Sequence, residues 1–436
     1  MTSGKFMANT KIVRTKLRNG LQVRLKEMHT APLISFWVWY RVGSRNERTG
    51  LTGASHWVEH MQFKGTPGFP SGVLDKAVAR DGGNWNAMTW IDWTAYFETM
   101  PADKVDLGLR LEADRMANSM FKPRDVASER TVIISERQGR ENEPSIRLSE
   151  EVQAAAFRVS PYHHDVIGDM ADLESMTRND LYNHYRSYYA PNNAVIAVAG
   201  DFQARKMLAR LRELFGGLPP GPAPDQDARP EPPQRGERRV TVEGPGETAY
   251  LEMACHAPRA ADADFLPMVV LDSILAGPSN FNLFGGGTSN KTSRLYKALV
   301  ETELAAGVSG SLAATVDPYL YTLHATVRAG RTPEQVEMAM QAELQRAMEE
   351  AVSAAELEKA MKQARAIFAY GSESITNQAF WLGYSEIFAD YSWFESYLDR
   401  LASVTPEDVQ RVARKYLVHT NRTIGHYLPE IAESTS

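Results

Sequence analysis

The chain has 436 residues, 23% of them charged, and a formal net charge of −6. That length exceeds one ordinary core and makes two domains of about 200 residues the starting expectation; Lys and Arg are scattered instead of gathered into runs, which argues against nucleic acid as a partner. The single cysteine, Cys255, excludes an intramolecular disulfide framework and any CxxC metal or redox site, so any metal has to be held by His and carboxylate.

The opening "MTSGKFMANTKIVRTKLRNG" lacks the apolar region of a secretory signal, and no run of 18 apolar residues occurs, so no membrane span is expected. As it stands the chain reads as cytoplasmic, or as periplasmic if a leader was removed, and the compartment stays open. "GLQVRLKEM" and "APLISFWVWYRVG" alternate as strands do, and "GASHWVEHMQFKGT" (53–66) reads as an amphipathic helix. "GGNWNAMTW" alternates after a Gly-Gly turn and predicts an edge strand. Helical stretches follow at 101–120 and 123–144, the second with Val126, Val132 and Ile133 for a buried face. The Pro- and Gly-rich segment 216–239 is a linker.

Beyond the linker, "RRVTVEG" and "TAYLEMACHA" again alternate and again lead into long helical patterns. Laying "WVEHMQFKG" over "VLDSILAG" (270–277) places Asp272 at Glu59, Ser273 at His60 and Val269 at His56. The expectation is an α+β fold of two homologous domains, each a mostly antiparallel sheet flanked by helices. Residues 1–215 form the N-terminal domain, 216–239 the linker, and 240–436 a C-terminal copy without the polar cluster.

His56 and His60 stand at i and i+4, so both imidazoles leave one helical face close enough to hold one ion. Glu59 sits one position before His60, beside the place a metal-activated water would take. This HxxEH order reverses the HExxH zinc motif. Taken alone, the triplet also fits a solvated or core-satisfied histidine pair. Glu129 and Glu136 are seven apart, about two helical turns, and share a face.

Here the sequence resembles the pitrilysin/insulinase-type inverzincin zinc peptidases, and among them the processing-peptidase-beta-like subunits of mitochondria and bacteria. The resemblance spans nearly the whole chain through "LRNGLQV", "YRVGSRNE", "GASHWVEHMQFKGT", "GGNWNAMTWIDWTAYF", "LEADRM", "SERTVIISERQ", "YAPNNAVIAVAGDF" and "SRLYKAL". It implies a duplicated α/β-roll and one Zn2+ per chain held by His56, His60 and Glu136, the last 76 residues beyond His60. It implies Glu59 as the general base, Glu129 as the carboxylate that orients a ligand histidine, and Asn86 and Ala87 as substrate-binding positions on the edge strand. The implied activity is zinc-dependent endopeptidase hydrolysis of peptides or unfolded polypeptides in an enclosed chamber. A non-catalytic scaffold subunit is the rival reading, and the intact His56, Glu59, His60 and Glu136 speak against it.

Active relatives carry an arginine and a tyrosine in a pattern like "LRxxxGLxY" that holds substrate and the developing oxyanion. The matching stretch "LVETELAAGVSG" (299–310) puts Val300 and Gly307 at those positions. The resemblance therefore implies a hetero-oligomer, most simply a heterodimer, with a homologous subunit supplying the Arg/Tyr pair; in the alternative, Arg294 and Tyr296 take over and a homodimer suffices. "GGGTSNKTS" (285–293) fails as a P-loop because Asn290 stands where the second glycine belongs; it resembles instead the family's glycine-rich loop, which implies a place near the substrate entrance, and a plain mobile loop is the equal alternative. The adjacent His163 and His164 point apart and read as structural, and Trp85, Trp90 and Trp93 as packing residues.

Overall fold

The computed structural model describes residues 12–223, 229–282 and 289–430. In chain order the first strands are β1 (Val13–Lys16), β2 (Gln22–Glu27) and β3 (Leu33–Tyr40), followed by α1 (Ala54–Gln62), α2 (Val73–Arg80), β4 (Asn84–Thr89) and β5 (Thr94–Pro101). Helices α3 (Asp106–Asn118), α4 (Pro123–Glu141), α5 (Pro144–Ala156), α6 (Met170–Ser175) and α7 (Arg178–Tyr188) lead to β6 (Ala194–Gly200) and α8 (Ala204–Phe215). Then come β7 (Arg238–Gly244), β8 (Tyr250–His256), α9 (Phe265–Leu275), β9 (Ala305–Leu312) and β10 (Leu320–Val327). Helices α10 (Pro333–Glu349), α11 (Ala354–Tyr370), α12 (Ile375–Phe388), α13 (Tyr391–Ala402) and α14 (Pro406–Tyr416) precede β11 (Arg422–Pro429).

One sheet runs β1-β2-β6-β3-β5-β4 and the other β7-β11-β8-β10-β9. From β2 onward the first repeats in the second: one parallel pair, β2 with β6 or β7 with β11, then only antiparallel neighbours. The α+β class and the mostly antiparallel sheets stand as expected.

β3 shows why its sequence is almost wholly apolar. Successive side chains point to opposite faces of a strand, and both faces are covered. Phe36, Val38 and Tyr40 join the main core with Ile196 and Val198 of β6. On the opposite face Trp37 lies across from Ala197 and meets Phe380 of α12 edge-on at 5.7 Å, while Trp39 stacks on Tyr384 at 5.9 Å. Gly383 permits that approach, because a Cβ there would stand 2.1 Å from Trp39 Nε1.

The compact units do not follow the two halves of the chain. One comprises Met1–Ser135, Asp165–Asp227 and Ser372–Tyr391; the other comprises Glu136–His164, Ala228–Gly371 and Ser392–Ser436. α12 thus covers β3 and β6, and α5 covers β7, β8 and β11. Both cross the 1–215 and 240–436 boundaries expected from the sequence. Val132 also departs from expectation: it is 41% exposed, while Val126 and Ile133 are buried together with Glu129 on one stripe of α4.

Candidate metal centre

α1 presents its polar cluster because its apolar residues are committed elsewhere. Ala54, Trp57, Val58 and Met61 are buried in the main core, which turns His56, Glu59 and His60 to the other side. The helix start is fixed by Gly53, whose φ of 86° and whose Cβ position 2.3 Å from the carbonyl oxygen of Ile167 admit no side chain. Glu47 accepts from the N–H of Gly53 and from that of Ser55, both at 2.7 Å, and so binds backbone donors at the positive end of the helix.

The imidazoles of His56 and His60 have centroids 4.7 Å apart. α4 brings Glu136 to them: each of His56, His60 and Glu136 offers a ligand atom, and these atoms lie within 4.8 Å of one another. Two imidazoles and one carboxylate form a donor set that suits a zinc ion with an open position. Glu129, two turns before Glu136 and 5% exposed, meets Nδ1 of His60 at 3.1 Å, and its other oxygen pairs with Lys64. A proton on Nδ1 facing that carboxylate would leave Nε2 of His60 as the nitrogen available to an ion. Arg137, next to Glu136, is fastened to both oxygens of Glu150 on α5 at 2.7 and 2.6 Å.

Glu59 is buried beside the group, and its Oε2 accepts from Thr89 Oγ1 at 2.6 Å. Thr89 closes β4, which pairs with β5 at the edge of its sheet, as the alternation predicted. On β4 Asn86 is exposed and Ala87 buried, and Asn86 Oδ1 accepts from the N–H of Ala87 at 2.9 Å. Behind α1, Ser55 Oγ lies 3.0 Å from Nε2 of His184, whose burial lowers its pKa to about 4 and keeps it neutral at working pH.

Sequence reasoning did not single out Glu47, Lys64 or Thr89. Lys64 carried the clearest signal, one turn beyond His60 on the same face. His163 and His164 lie outside the metal-capable group found among the described residues; their rings do not diverge as expected but meet edge-on with centroids 5.0 Å apart, His164 is buried, and Nδ1 of His163 lies 3.0 Å from the carbonyl oxygen of Ser160. Trp93 is buried as expected, whereas Trp90 is 40% exposed and is not a core residue. Gly307 sits on the edge strand β9, with open space where a Cβ would be. Arg294 is held by Glu356 through two hydrogen bonds of 2.9 and 3.2 Å. Within the glycine-rich stretch, 285–288 lie outside the described residues. No helix among the described residues is long and apolar enough to cross a membrane.

Residues 22–170 match the family described as Insulinase (Peptidase family M16), and residues 175–364 match the one described as Peptidase M16 inactive domain. Over 421 residues the chain is 30% identical to the zinc protease PqqE of Helicobacter pylori, covering 93% of this chain and 90% of that protein. A probable mitochondrial-processing peptidase subunit beta of Arabidopsis thaliana is 27% identical over 317 residues, 72% of this chain and 59% of that one. The crystal structure of a protease from Helicobacter pylori superposes with a TM-score of 0.90 at 28% identity, covering 96% of this chain and all (100%) of that one.

Proposed function

This chain belongs to peptidase family M16, and from that premise we propose that it is the zinc-bearing catalytic subunit of an endopeptidase that hydrolyses peptides or unfolded polypeptides in an enclosed chamber. The observation that carries the reading is the convergence of His56, His60 and Glu136 to within 4.8 Å, with Glu59 beside them. Zn2+ held by those three residues would supply Lewis acidity, which lowers the pKa of water to about 7.

The rest falls to the chain's own groups. Glu59 takes the proton of the attacking water and returns it to the leaving amine. Glu129 keeps His60 in the tautomer that faces the metal. β4 receives the substrate as an added strand at Asn86 and Ala87, a backbone-directed mode that tolerates many sequences. The description "inactive domain" falls on residues 175–364, whereas both histidines, Glu59 and Glu136 lie within the 22–170 match. This division favours a catalytic chain over a scaffold.

Val300 and Gly307 offer no side-chain hydrogen bond to an oxyanion, a loss that costs on the order of 10²–10³ in rate. A homologous partner subunit supplying an arginine and a tyrosine makes it good. The anchoring of Arg294 through Nε and Nη2 to Glu356, with the side chain 9% exposed, speaks against the self-sufficient homodimer, because the guanidinium is tethered within its own chain. The test is hydrolysis of a flexible peptide by the purified chain with and without a homologous chain that lacks HxxEH. Turnover that rises at least about 100-fold on adding the partner supports the heterodimer; equal turnover overturns it and leaves the homodimer.

A further inference from the structure

The zinc motif specifies where Glu59 sits on α1 but not how its carboxylate is turned. β4 bears on that through one contact. Thr89 lies two residues beyond Ala87, on the same side of the strand, and its Oγ1 reaches Oε2 of Glu59 at 2.6 Å. A threonine hydroxyl has one proton to give, and the neighbours decide where it goes.

Thr94 stands directly opposite Thr89 in the β4–β5 pair, with the two oxygens 3.4 Å apart. Thr94 sends its own proton to the carbonyl oxygen of Val42 at 2.9 Å. The Tyr189 hydroxyl lies 3.2 Å from Thr94 Oγ1 and 3.2 Å from the carbonyl oxygen of Ser55. Thr94 therefore does not compete as a donor to Glu59, and the Thr89 proton is committed to the carboxylate. A hydrogen bond to an ionised acceptor is roughly twice as strong as one between neutral groups.

We infer that Thr89 is a positioning residue for the reaction: its hydroxyl fixes the orientation of the Glu59 carboxylate from the strand that receives substrate. This rests on the peptidase reading above. It ties two events together, since a peptide added along β4 steadies the strand that steadies the base.

The experiment uses the chain together with its homologous partner and compares T89V, which keeps the branched shape without the hydroxyl, with T89S, which restores it. The expected result is a kcat about 10–100-fold lower in T89V, with KM within about two-fold and zinc content and melting temperature unchanged. T89S should recover to within a few-fold of the parent, and T89V/E59Q should be no slower than E59Q alone. Should T89V not fold, T89A against T89S carries the same comparison. Parental kcat in T89V, T89S as slow as T89V, or a raised KM with unchanged kcat overturns the inference while the peptidase reading stands. A parent that does not hydrolyse peptide, or that E59Q does not slow, overturns both.

Discussion

Nδ1 of His60 lies 3.1 Å from Oε2 of Glu129, and the other oxygen of that carboxylate pairs with Lys64. Glu129 thus joins α1 and α4 at the level of the metal-capable group. Replacing it by Gln keeps the size but removes the charge that favours a proton on Nδ1. We expect E129Q to fold and to bind zinc about 10–100-fold more weakly, measured by competition with a chromophoric chelator. Parental affinity would show that Glu129 serves structure alone.

The pairing of Arg294 with Glu356 gives a second prediction. Arg294 is 9% exposed at its side chain, and the hydrogen bonds it makes hold the Glu356 carboxyl at a pKa of about 2. Truncation removes an intramolecular partner and leaves a carboxylate one-third exposed. R294A should cost about 1–3 kcal/mol in stability and change kcat by less than about three-fold. Urea titration and peptide turnover separate the two. A fall of on the order of 10²–10³ in kcat with little loss of stability would instead make Arg294 an oxyanion donor.

Asp272 provides a pH-dependent prediction. It is wholly buried on α9 at the position that aligns with Glu59, and burial raises its pKa to about 6 against the hydrogen bond from the Ser279 N–H. An unfolded aspartate titrates near 3.9. Between those values the native chain holds a proton that the unfolded chain has released, so stability falls as pH rises through the window. The contribution is fully present below about pH 4 and gone above about pH 6, a change of roughly 3 kcal/mol. Asn keeps an acceptor for the Ser279 N–H without the charge. D272N should therefore be more stable than the parent by about 1–3 kcal/mol at pH 7 and nearly equal to it at pH 4. A loss at both pH values, read from urea midpoints, would contradict this.

How far the sequence revealed this arrangement depended on the range of the interactions. α1 and β4 were legible because their signals are local: an i, i+4 pair of histidines in one case, alternation after Gly-Gly in the other. α4 was legible as a helix, but its buried stripe runs through Val126, Glu129 and Ile133, which leaves Val132 about 100° away and exposed. α12 was not placed, because an all-round buried helix such as "ITNQAFWLGYSEIF" shows no preferred face. Its partners Trp37 and Trp39 lie more than 330 residues upstream. Glu47 and Thr89 were missed for a related reason: each acts across a turn or between elements, where no residue spacing marks it.

The central claim, that His56, His60 and Glu136 hold zinc while Glu59 moves the proton, separates most directly by measuring metal content and peptide hydrolysis on the same preparations. With the homologous partner present, E59Q should retain one zinc per chain and lose at least about 1,000-fold in turnover, because the amide cannot accept a proton. H56A, H60A and E136A should lose both zinc and activity. Full zinc occupancy in all three ligand variants, or E59Q turnover within a few-fold of the parent, would contradict the account.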